Sequence, residues 1–302
     1  MNLKNEALKE LWIQIAKADQ DYYESAPVPD GVSITQDIAY ADSTDKMQTL
    51  EIIRPQNSKE VLPVIVHIHG GGWIYGHKDS YYKYYCMELS KRGYAVININ
   101  YRLAFENPFP ACVQDIFNVF EWMSKNAINE KLDINNVFLV GDSAGAHLSA
   151  LSAEIFKSKD LQKRYHVKAS PLTIKALGLS CGIYDIERHL DNHSDPMSVM
   201  MFKTVFHQHD FRSHPLYRAS SVSSQLTQDF PPAYVLSSKS DVPLIEETQA
   251  FIKELRALRL IYKARILPKK LKRTHVFNIK LIYPESIEVM DEMVAFFQAF
   301  TS

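Results

Sequence analysis

Residues 137–150, VFLVGDSAGAHLSA, decide the predicted fold of this 302-residue chain. The first five residues are apolar or glycine and predict a buried strand, and the alanine-rich run from Ala144 to Ala153 predicts a helix. Between them lies Gly141-Asp142-Ser143-Ala144-Gly145, a Gly-x-Ser-x-Gly pattern at a strand-to-helix turn. That context predicts a nucleophile elbow, in which a serine stands exposed above a sheet.

The two glycines of this pattern have a steric reason. A turn this tight leaves no room for a Cβ two residues before or two residues after Ser143. It raises a strained Ser143 above the sheet edge and leaves the N–H of Ala144 at the mouth of a helix, where it can face an oxyanion. A packed βα turn with Ser143 as a helix N-cap is the alternative, and it would be preferred if the motif stood alone.

The composition bounds the class of protein. A chain of this length can bury a large core, and we expect one α/β domain over residues 1–302. Lys plus Arg number 34 and Asp plus Glu 35, so the net charge is near zero. The basic run PKKLKR at 268–273 is short and lacks interleaved aromatic residues, which predicts a solvated loop and no nucleic-acid partner.

The sequence also lacks the patterns typical of membrane spans, signal peptides and cysteine metal sites. No segment is long and apolar enough to span a bilayer, and residues 1–20 carry charges without a signal-peptide core. We therefore expect a cytoplasmic protein with no membrane partner. Cys86, Cys112 and Cys181 show no CxxC or zinc spacing, which predicts buried free thiols and no metal site.

Hydrophobic periodicity before the elbow predicts alternating helices and strands. The predicted elements are an amphipathic helix from residue 3 to about 18, strands at 34–40, 47–54 and 62–68, a helix at 82–92, a strand at 94–100 and a helix at 110–125. The strand at 62–68 is rich in β-branched residues, as is typical of a central parallel strand.

A run of three glycines follows that central strand, in His69-Gly70-Gly71-Gly72. Glycines let a backbone approach a ligand and point its N–H groups inward. An HGGG run forms the second half of the oxyanion hole in lipases and esterases. A phosphate-binding loop is the competing interpretation, but no Gly-Lys-Ser/Thr follows. Trp73 and Tyr75 come next, either as walls of a substrate pocket or as ordinary packing residues.

The segment after the elbow helix predicts a cap. A strand is expected at 174–181, whereas 184–229 contains no clear strand and includes a methionine- and phenylalanine-rich helix around Met201. We expect residues of about 1–30 and about 184–229 to cover the carboxyl edge of the sheet, with Met201 in the pocket wall. The histidines of this segment match no ligand spacing and are expected at the surface; they are His189, His193, His207, His209 and His214.

A serine hydroxyl needs a base and an orienting acid before it becomes a good nucleophile. In this arrangement the chain order is Ser, then Asp or Glu, then His. His275 is the only histidine after residue 214 and is therefore the expected base. Asp241 follows a strand predicted at 233–237 and is the expected acid, although it could also cap a helix; Glu246 is the fallback.

Five motifs in order carry a resemblance to a known family. They are HGGG at 69–72, YRLAFENPFPA at 101–111, GDSAG at 141–145, DVPL at 241–244 and THVFN at 274–278. With them the chain resembles the hormone-sensitive-lipase-like esterases of the α/β-hydrolase superfamily, from about residue 34 to the C-terminus. The resemblance implies an α/β-hydrolase fold, with a mostly parallel sheet, helices on both faces and a helical cap.

The resemblance also implies an activity. It predicts a serine carboxylic-ester hydrolase for short acyl chains, acetyl to butyryl, with the triad Ser143, Asp241 and His275. The N–H groups of Gly71, Gly72 and Ala144 would bind the oxyanion. The expected partner is a small-molecule ester, no cofactor is expected, and a homodimer is compatible with the sequence.

Departures from the family pattern leave the substrate class open. Phe105 stands where the family usually has proline, Val242 is inserted in the acid turn, and His147 follows the elbow. A GxSAGxH elbow is also similar to feruloyl-esterase-like and formamidase-like hydrolases. His147 itself is expected to be structural, because a helix places it behind the serine. A non-catalytic ligand-binding relative is the least favoured alternative, since all three triad residues are present.

Overall fold

The computed structural model describes residues 3–192, 196–242 and 244–302. His193 and Pro243 therefore lie outside the described residues. The sheet has eight strands: β1 (Val32–Ala39), β2 (Thr49–Pro55), β3 (Leu62–Ile68), β4 (Ala95–Ile99), β5 (Leu132–Asp142), β6 (Ile174–Ser180), β7 (Ala233–Ser238) and β8 (Tyr262–Leu267). The helices are α1 (Leu3–Ser25), α2 (Tyr81–Ser90), α3 (Ala111–Asn126), α4 (Ala144–Lys157), α5 (Lys159–Tyr165), α6 (Ile186–Asn192), α7 (Pro196–Val205), α8 (Leu244–Ala257) and α9 (Pro284–Gln298).

The strand order in the sheet is β1-β2-β4-β3-β5-β6-β7-β8. β1 and β2 pair antiparallel, β2 also pairs antiparallel with β4, and the strands from β4 to β8 run parallel. This arrangement confirms the predicted α/β-hydrolase fold with its mostly parallel sheet. Because all the parallel strands point the same way, their carboxyl ends meet at one edge, where Ser143, Asp241 and the glycine loop follow β5, β7 and β3.

The core lies on both faces of the sheet, and the central strands alternate between the two sides. In β5, Val137 and Leu139 pack in the cluster that contains α3 and α4, while Phe138 and Val140 pack in the cluster that contains α2 and α9. Strands buried on both faces are nearly continuous apolar runs, which is why periodicity predicted β3, β4 and β5 well.

The pattern did not predict β8, α5 or α9. β8 lies at the sheet edge and leaves most of its residues partly exposed, so it has no apolar run. α5 is a short helix inside the polar stretch at 157–170, where the Ser158 side chain accepts a hydrogen bond from the Leu161 N–H at 3.2 Å. Among the described residues, no helix combines the length and the apolar content that crossing a membrane requires.

Candidate active site

The turn from β5 to α4 holds Ser143 in a conformation that side chains rarely adopt, with φ of 51° and ψ of −118°. The flanking glycines allow the backbone to adopt this conformation. A Cβ on Gly145 would overlap the carbonyl of Ile68 on β3, and one on Gly141 would overlap the Gly145 backbone. The steric expectation for both glycines is therefore confirmed. The Ser143 N–H donates to the Ser180 carbonyl at 2.8 Å, which ties the turn to β6.

Asp241 and His275 meet at the same edge of the sheet. His275 Nδ1 donates to Asp241 Oδ1 at 3.0 Å. The Asp241 side chain is 1% exposed and that of His275 is 40% exposed, so the acid is enclosed while the imidazole reaches the surface of a cavity. Glu246, the fallback acid, is exposed on α8 and lies outside the residues that line this cavity.

One cavity of about 290 Å³ brings together most of the predicted groups, although Gly71 is not among its lining residues. Ser143, Asp241 and His275 all line it, as do Gly72 and Ala144. The site is thus assembled from three connections that follow β5, β7 and β8, together with the loop after β3.

The glycine loop forms a tight turn in front of this cavity. Gly71 and Gly72 have φ of 109° and 60°, in the region that favours glycine. The Gly71 carbonyl accepts hydrogen bonds from the N–H groups of Ile74 at 3.2 Å and Tyr75 at 3.0 Å. A Cβ on Gly72 would lie 3.1 Å from Met201 Sδ and 3.2 Å from the Trp12 ring, so the loop contacts the two elements above it.

His69, at the start of the loop, is part of the scaffold. Its Nδ1 lies 2.7 Å from the Gly70 carbonyl, and its ring stacks on Tyr101 with centroids 4.2 Å apart. The Tyr101 hydroxyl donates to the His69 carbonyl at 2.9 Å. Burial lowers the pKa of His69 to about 3, so this ring is neutral at physiological pH.

His147 is also structural, as the sequence predicted. It is 1% exposed on α4, and its Nδ1 accepts from the Trp73 indole N–H at 3.1 Å. Its Nε2 then donates to the Ser220 carbonyl at 2.7 Å. Burial lowers the pKa of His147 to about 4, which keeps the ring neutral and able to accept from Trp73. The residue thus holds Trp73, a wall of the cavity, and both of its ring nitrogens are engaged in hydrogen bonds.

The cavity walls agree only in part with the predicted pocket. Trp73 and Met201 line it, but Tyr75 does not. The prediction for Tyr75 is wrong because its ring stacks on Trp12, at 5.4 Å, and its hydroxyl donates to Asp19 at 2.7 Å. Tyr75 instead lines a neighbouring cleft.

Sequence reasoning missed the wall residues Trp12, Ile183 and His189. Trp12 lies on the amphipathic helix α1. The spacing of apolar residues along a helix indicates which face is buried, but not which part of the molecule that face covers. His189 was expected at the surface, and that expectation is wrong: it is 3% exposed and lines the cavity. His207 and His209 are exposed and His214 is half-buried.

One group among the described residues has the composition of a metal site. Ligand atoms of Cys181, Asp241 and His275 lie within 4.8 Å of one another. A thiolate would be the metal ligand, yet burial raises the pKa of Cys181 well above its usual range. His275 Nδ1 and Asp241 Oδ1 are already joined by a hydrogen bond. These observations favour a hydrogen-bonded acid–histidine pair. All three cysteines are buried free thiols, as predicted.

Comparisons with known proteins agree with this geometry. The chain matches the BD-FAE family over residues 50–255. Esterase LipC of Mycobacterium tuberculosis is 26% identical over 227 residues, which cover 73% of this chain and 55% of that protein. The acetyl esterase of Salmonella schwarzengrund is 25% identical over 253 residues, which cover 81% of this chain and 72% of that protein.

A solved structure is similar over nearly the whole chain. Esterase B from Lactobacillus rhamnosis, inhibited by a C6-C4 SN3 compound, superposes with a TM-score of 0.92 at 28% identity and covers 99% of this chain and 97% of its own. Another structure of esterase B is inhibited by a C4-C4 SN3 tributyrin phosphonate. The chain spans about half the length of two curated relatives that it matches, 42% of one and 55% of the other. Because the family match includes the elbow and extends over about two thirds of the chain, the protein belongs to the BD-FAE family and has the α/β-hydrolase fold.

Proposed function

We propose that the protein is a serine carboxylesterase with Ser143 as nucleophile, His275 as base and Asp241 as orienting acid. The observation that carries this proposal is the 3.0 Å hydrogen bond between His275 and a buried Asp241, on the wall of the cavity that also contains Ser143. Asp241 holds the Nδ1–H tautomer of His275, which leaves Nε2 free to take a proton.

The reaction follows from these positions. Ser143 Oγ attacks the ester carbonyl carbon while His275 Nε2 takes the hydroxyl proton, and the carbonyl oxygen becomes an oxyanion bound by the N–H groups of Gly71, Gly72 and Ala144. Collapse of the tetrahedral intermediate breaks the bond to the alcohol oxygen, which receives the proton from His275. Water, deprotonated by the same histidine, then attacks the acyl-enzyme. Collapse of this second tetrahedral intermediate breaks the bond to Ser143 Oγ, which receives the proton from His275 as the acid is released. Loss of one oxyanion donor typically costs about 3 kcal/mol of transition-state stabilisation.

Replacing the nucleophile tests the proposal. We expect Ser143→Ala to lose turnover of p-nitrophenyl acetate by about a thousandfold or more with an unchanged Tm, and to escape labelling by a fluorophosphonate probe. Ser152→Ala is the matched control, since Ser152 is buried on the same helix and its hydroxyl has no hydrogen-bond partner among the described residues. Residual turnover of Ser143→Ala above about a thousandth of wild type would argue against Ser143 as the nucleophile.

We also propose that α1 and the segment at about 184–229 form a cap that closes the site around short acyl chains. Trp12 of α1 and Met201 of α7 line the roof of the 290 Å³ cavity, which supports this idea. The acetyl esterase relative and the tributyrin phosphonate bound by esterase B support it independently. A small ester is the proposed ligand of a single-domain enzyme, and a cytoplasmic location and a homodimer stay predictions.

The test of the closed pocket is kcat/KM for p-nitrophenyl esters from acetate to decanoate, below their aggregation limits. Each methylene that finds room is worth about 0.8 kcal/mol, whereas a closed cavity must strain or open to admit it. We expect a maximum between acetate and butyrate and a fall beyond about six carbons. A maximum at octanoate or longer would point to an open, lipase-like groove.

Aryl-ester and amide substrates are the alternative. This alternative arose because His147 follows the elbow in the sequence. The hydrogen bonds of His147 to Trp73 and Ser220 explain the residue by a structural role instead. Acetyl, feruloyl and formanilide substrates assayed side by side would rank the three classes. Binding of an ester without turnover would favour a non-catalytic relative.

A further inference from the structure

The Tyr82 hydroxyl bridges the elbow and the glycine loop. The N–H of Gly70 donates to Tyr82 Oη at 3.1 Å, and the Tyr82 hydroxyl donates to Asp142 Oδ2 at 3.2 Å. Asp142 precedes Ser143 and Gly70 precedes Gly71, so the two ends of this link are covalent neighbours of the nucleophile and of an oxyanion donor. Tyr82 itself comes from α2, a third element.

All parts of this link are removed from water. Tyr82 is 2% exposed, Asp142 is 1% exposed, and Gly70 is buried. The fit between the loop and the elbow is tight, because a Cβ on Gly70 would overlap the Asp142 carboxylate and approach Tyr82 Oη to 3.0 Å. The link therefore spans a contact at which the loop lies directly against the elbow.

Asp142 is costly to bury if its purpose is packing alone. Its Oδ1 has no hydrogen-bond partner, and no ion pair among the described residues includes it. A buried carboxyl with an unsatisfied oxygen costs free energy that an apolar side chain would not. Such a group is expected where its hydrogen bonds serve the site, and the hydrogen bond from Tyr82 to Oδ2 is one of these.

The loop can transmit a constraint applied at Gly70. The Gly71 carbonyl accepts from two backbone N–H groups, so residues 71–75 form one closed, hydrogen-bonded turn. His69 on the other side is held through its carbonyl by Tyr101. Fixing Gly70 therefore fixes the directions in which the N–H groups of Gly71 and Gly72 point.

We propose that Tyr82 and Asp142 are positioning residues that align the glycine-loop half of the oxyanion hole with the elbow half. The inference rests on the proposed function, since the two halves must converge on one oxyanion. Donors from separate segments stabilise that charge only if their relative placement is held to about 0.5 Å. A misplacement of about 1 Å costs on the order of a hundredfold in rate.

The first test removes only the hydroxyl. Tyr82→Phe keeps the ring and its packing on Tyr81 and His69. We expect kcat to fall about 10- to 100-fold while KM stays within about twofold, because the oxyanion exists only after attack. Affinity for a trifluoromethyl ketone, which forms the tetrahedral adduct, should fall in parallel with kcat/KM. Tyr85→Phe is the matched control, since it removes a hydroxyl from an equally buried tyrosine of the same helix that also packs on His67, but whose hydroxyl is not part of this link.

The second test works through the other end of the link. Asp142→Asn keeps an acceptor for Tyr82 and should retain about a third of kcat or more, whereas Asp142→Ala should fall as far as Tyr82→Phe. The double variant Tyr82→Phe/Asp142→Ala should be no worse than either single variant, because both remove one link. Additive losses would overturn the proposal, as would a KM effect without a kcat effect. If Tyr82→Phe does not fold, the Asn and Ala variants of Asp142 still decide the question.

A readout without turnover separates this inference from the proposed function. Amide hydrogen exchange of the peptide over 69–76 should speed up at least about tenfold in Tyr82→Phe and stay at the wild-type rate in Tyr85→Phe. Unchanged loop exchange in Tyr82→Phe overturns the link whether or not the wild type hydrolyses an ester. A wild type that lacks ester turnover but shows the exchange difference would overturn the proposed function and leave the link supported.

Discussion

Single hydrogen bonds determine which ionisable groups can act at this cavity. Asp241 is buried and bonded to His275, whereas Glu246, five residues on, is exposed on α8. An orienting carboxylate acts by holding one imidazole tautomer and by stabilising the imidazolium, so only the bonded carboxylate can do so.

The acid assignment predicts unequal effects of two conservative substitutions. Asp241→Asn should lower kcat by about a thousandfold or more, because the amide favours the wrong tautomer of His275, while Glu246→Gln should change it less than about threefold. His275→Ala should lose as much as Ser143→Ala, and their double variant little more. Kinetics on p-nitrophenyl acetate measure all five variants. A larger loss in Glu246→Gln than in Asp241→Asn would mean that the acid is elsewhere.

For substitution of His147 we expect the opposite effect, a loss of stability with activity retained. His147→Ala leaves the Trp73 N–H and the Ser220 carbonyl buried without partners, which should lower the free energy of unfolding by about 2–4 kcal/mol. We expect kcat/KM of the folded variant to stay within about tenfold of wild type. Urea unfolding and steady-state kinetics check this, with the exposed His209→Ala as control. An inactive variant of wild-type stability would instead indicate a catalytic role.

At the scale of elements, α1 is the helix whose sequence periodicity says least about its function. It contacts α7, and its Trp12 ring lies close to Gly72 of the loop and stacks on the ring of Tyr75. Trp12 thus brings α1 to the wall of the cavity, which Met201 of α7 also lines, while its neighbour Ile13 is 61% exposed.

This arrangement predicts that the Trp12 side chain of α1 limits the length of the acyl chain that the cavity accepts. Trp12→Ala should enlarge the cavity and move the best acyl chain toward longer esters by about two to four carbons, since added methylenes then find room. Ile13→Ala on the same helix should leave the acyl-length profile unchanged. The p-nitrophenyl ester series measures both profiles. An unchanged optimum in Trp12→Ala would separate α1 from substrate selection.

At the scale of the whole molecule, one buried carboxyl couples the fold to pH. Burial raises the pKa of Asp142 to about 7 from an ordinary value of 3.8, an effect that His275 and Tyr82 partly offset. Between these values the native state holds a proton that the unfolded chain releases. The contribution of Asp142 is therefore fully present below about pH 4 and is lost as the pH rises to about 7.

Asp142→Asn isolates this contribution from those of other buried groups. Wild type should lose about 2–3 kcal/mol of unfolding free energy between pH 5 and pH 8 relative to Asp142→Asn, and the difference should level off above about pH 7. Urea denaturation of both proteins at several pH values gives the comparison. Parallel pH profiles of the two proteins would show that the Asp142 pKa is not raised in the native state.

Features that depend on residues close together in the chain could be predicted from the sequence. The elbow needs glycines two residues before and after Ser143, and HGGG needs backbone at positive φ, so both are visible within a few letters of sequence. The central strands were predictable because strands buried on both faces are continuous apolar runs. Chain order made His275 the candidate base, and its place after a strand made Asp241 the candidate acid.

Which distant segments meet at the site depends on tertiary packing and could not be predicted from the sequence pattern. Trp12 and His189 line the cavity and Tyr75 does not, because cap and loop segments far apart in the chain pack there by shape and not by periodicity. The edge strand β8 escaped prediction for the related reason that half-exposed residues leave no apolar run. The hydroxyl of Tyr82 reaches Asp142 across 60 residues, and no local pattern encodes a hydrogen bond whose two ends are brought together by the folded sheet.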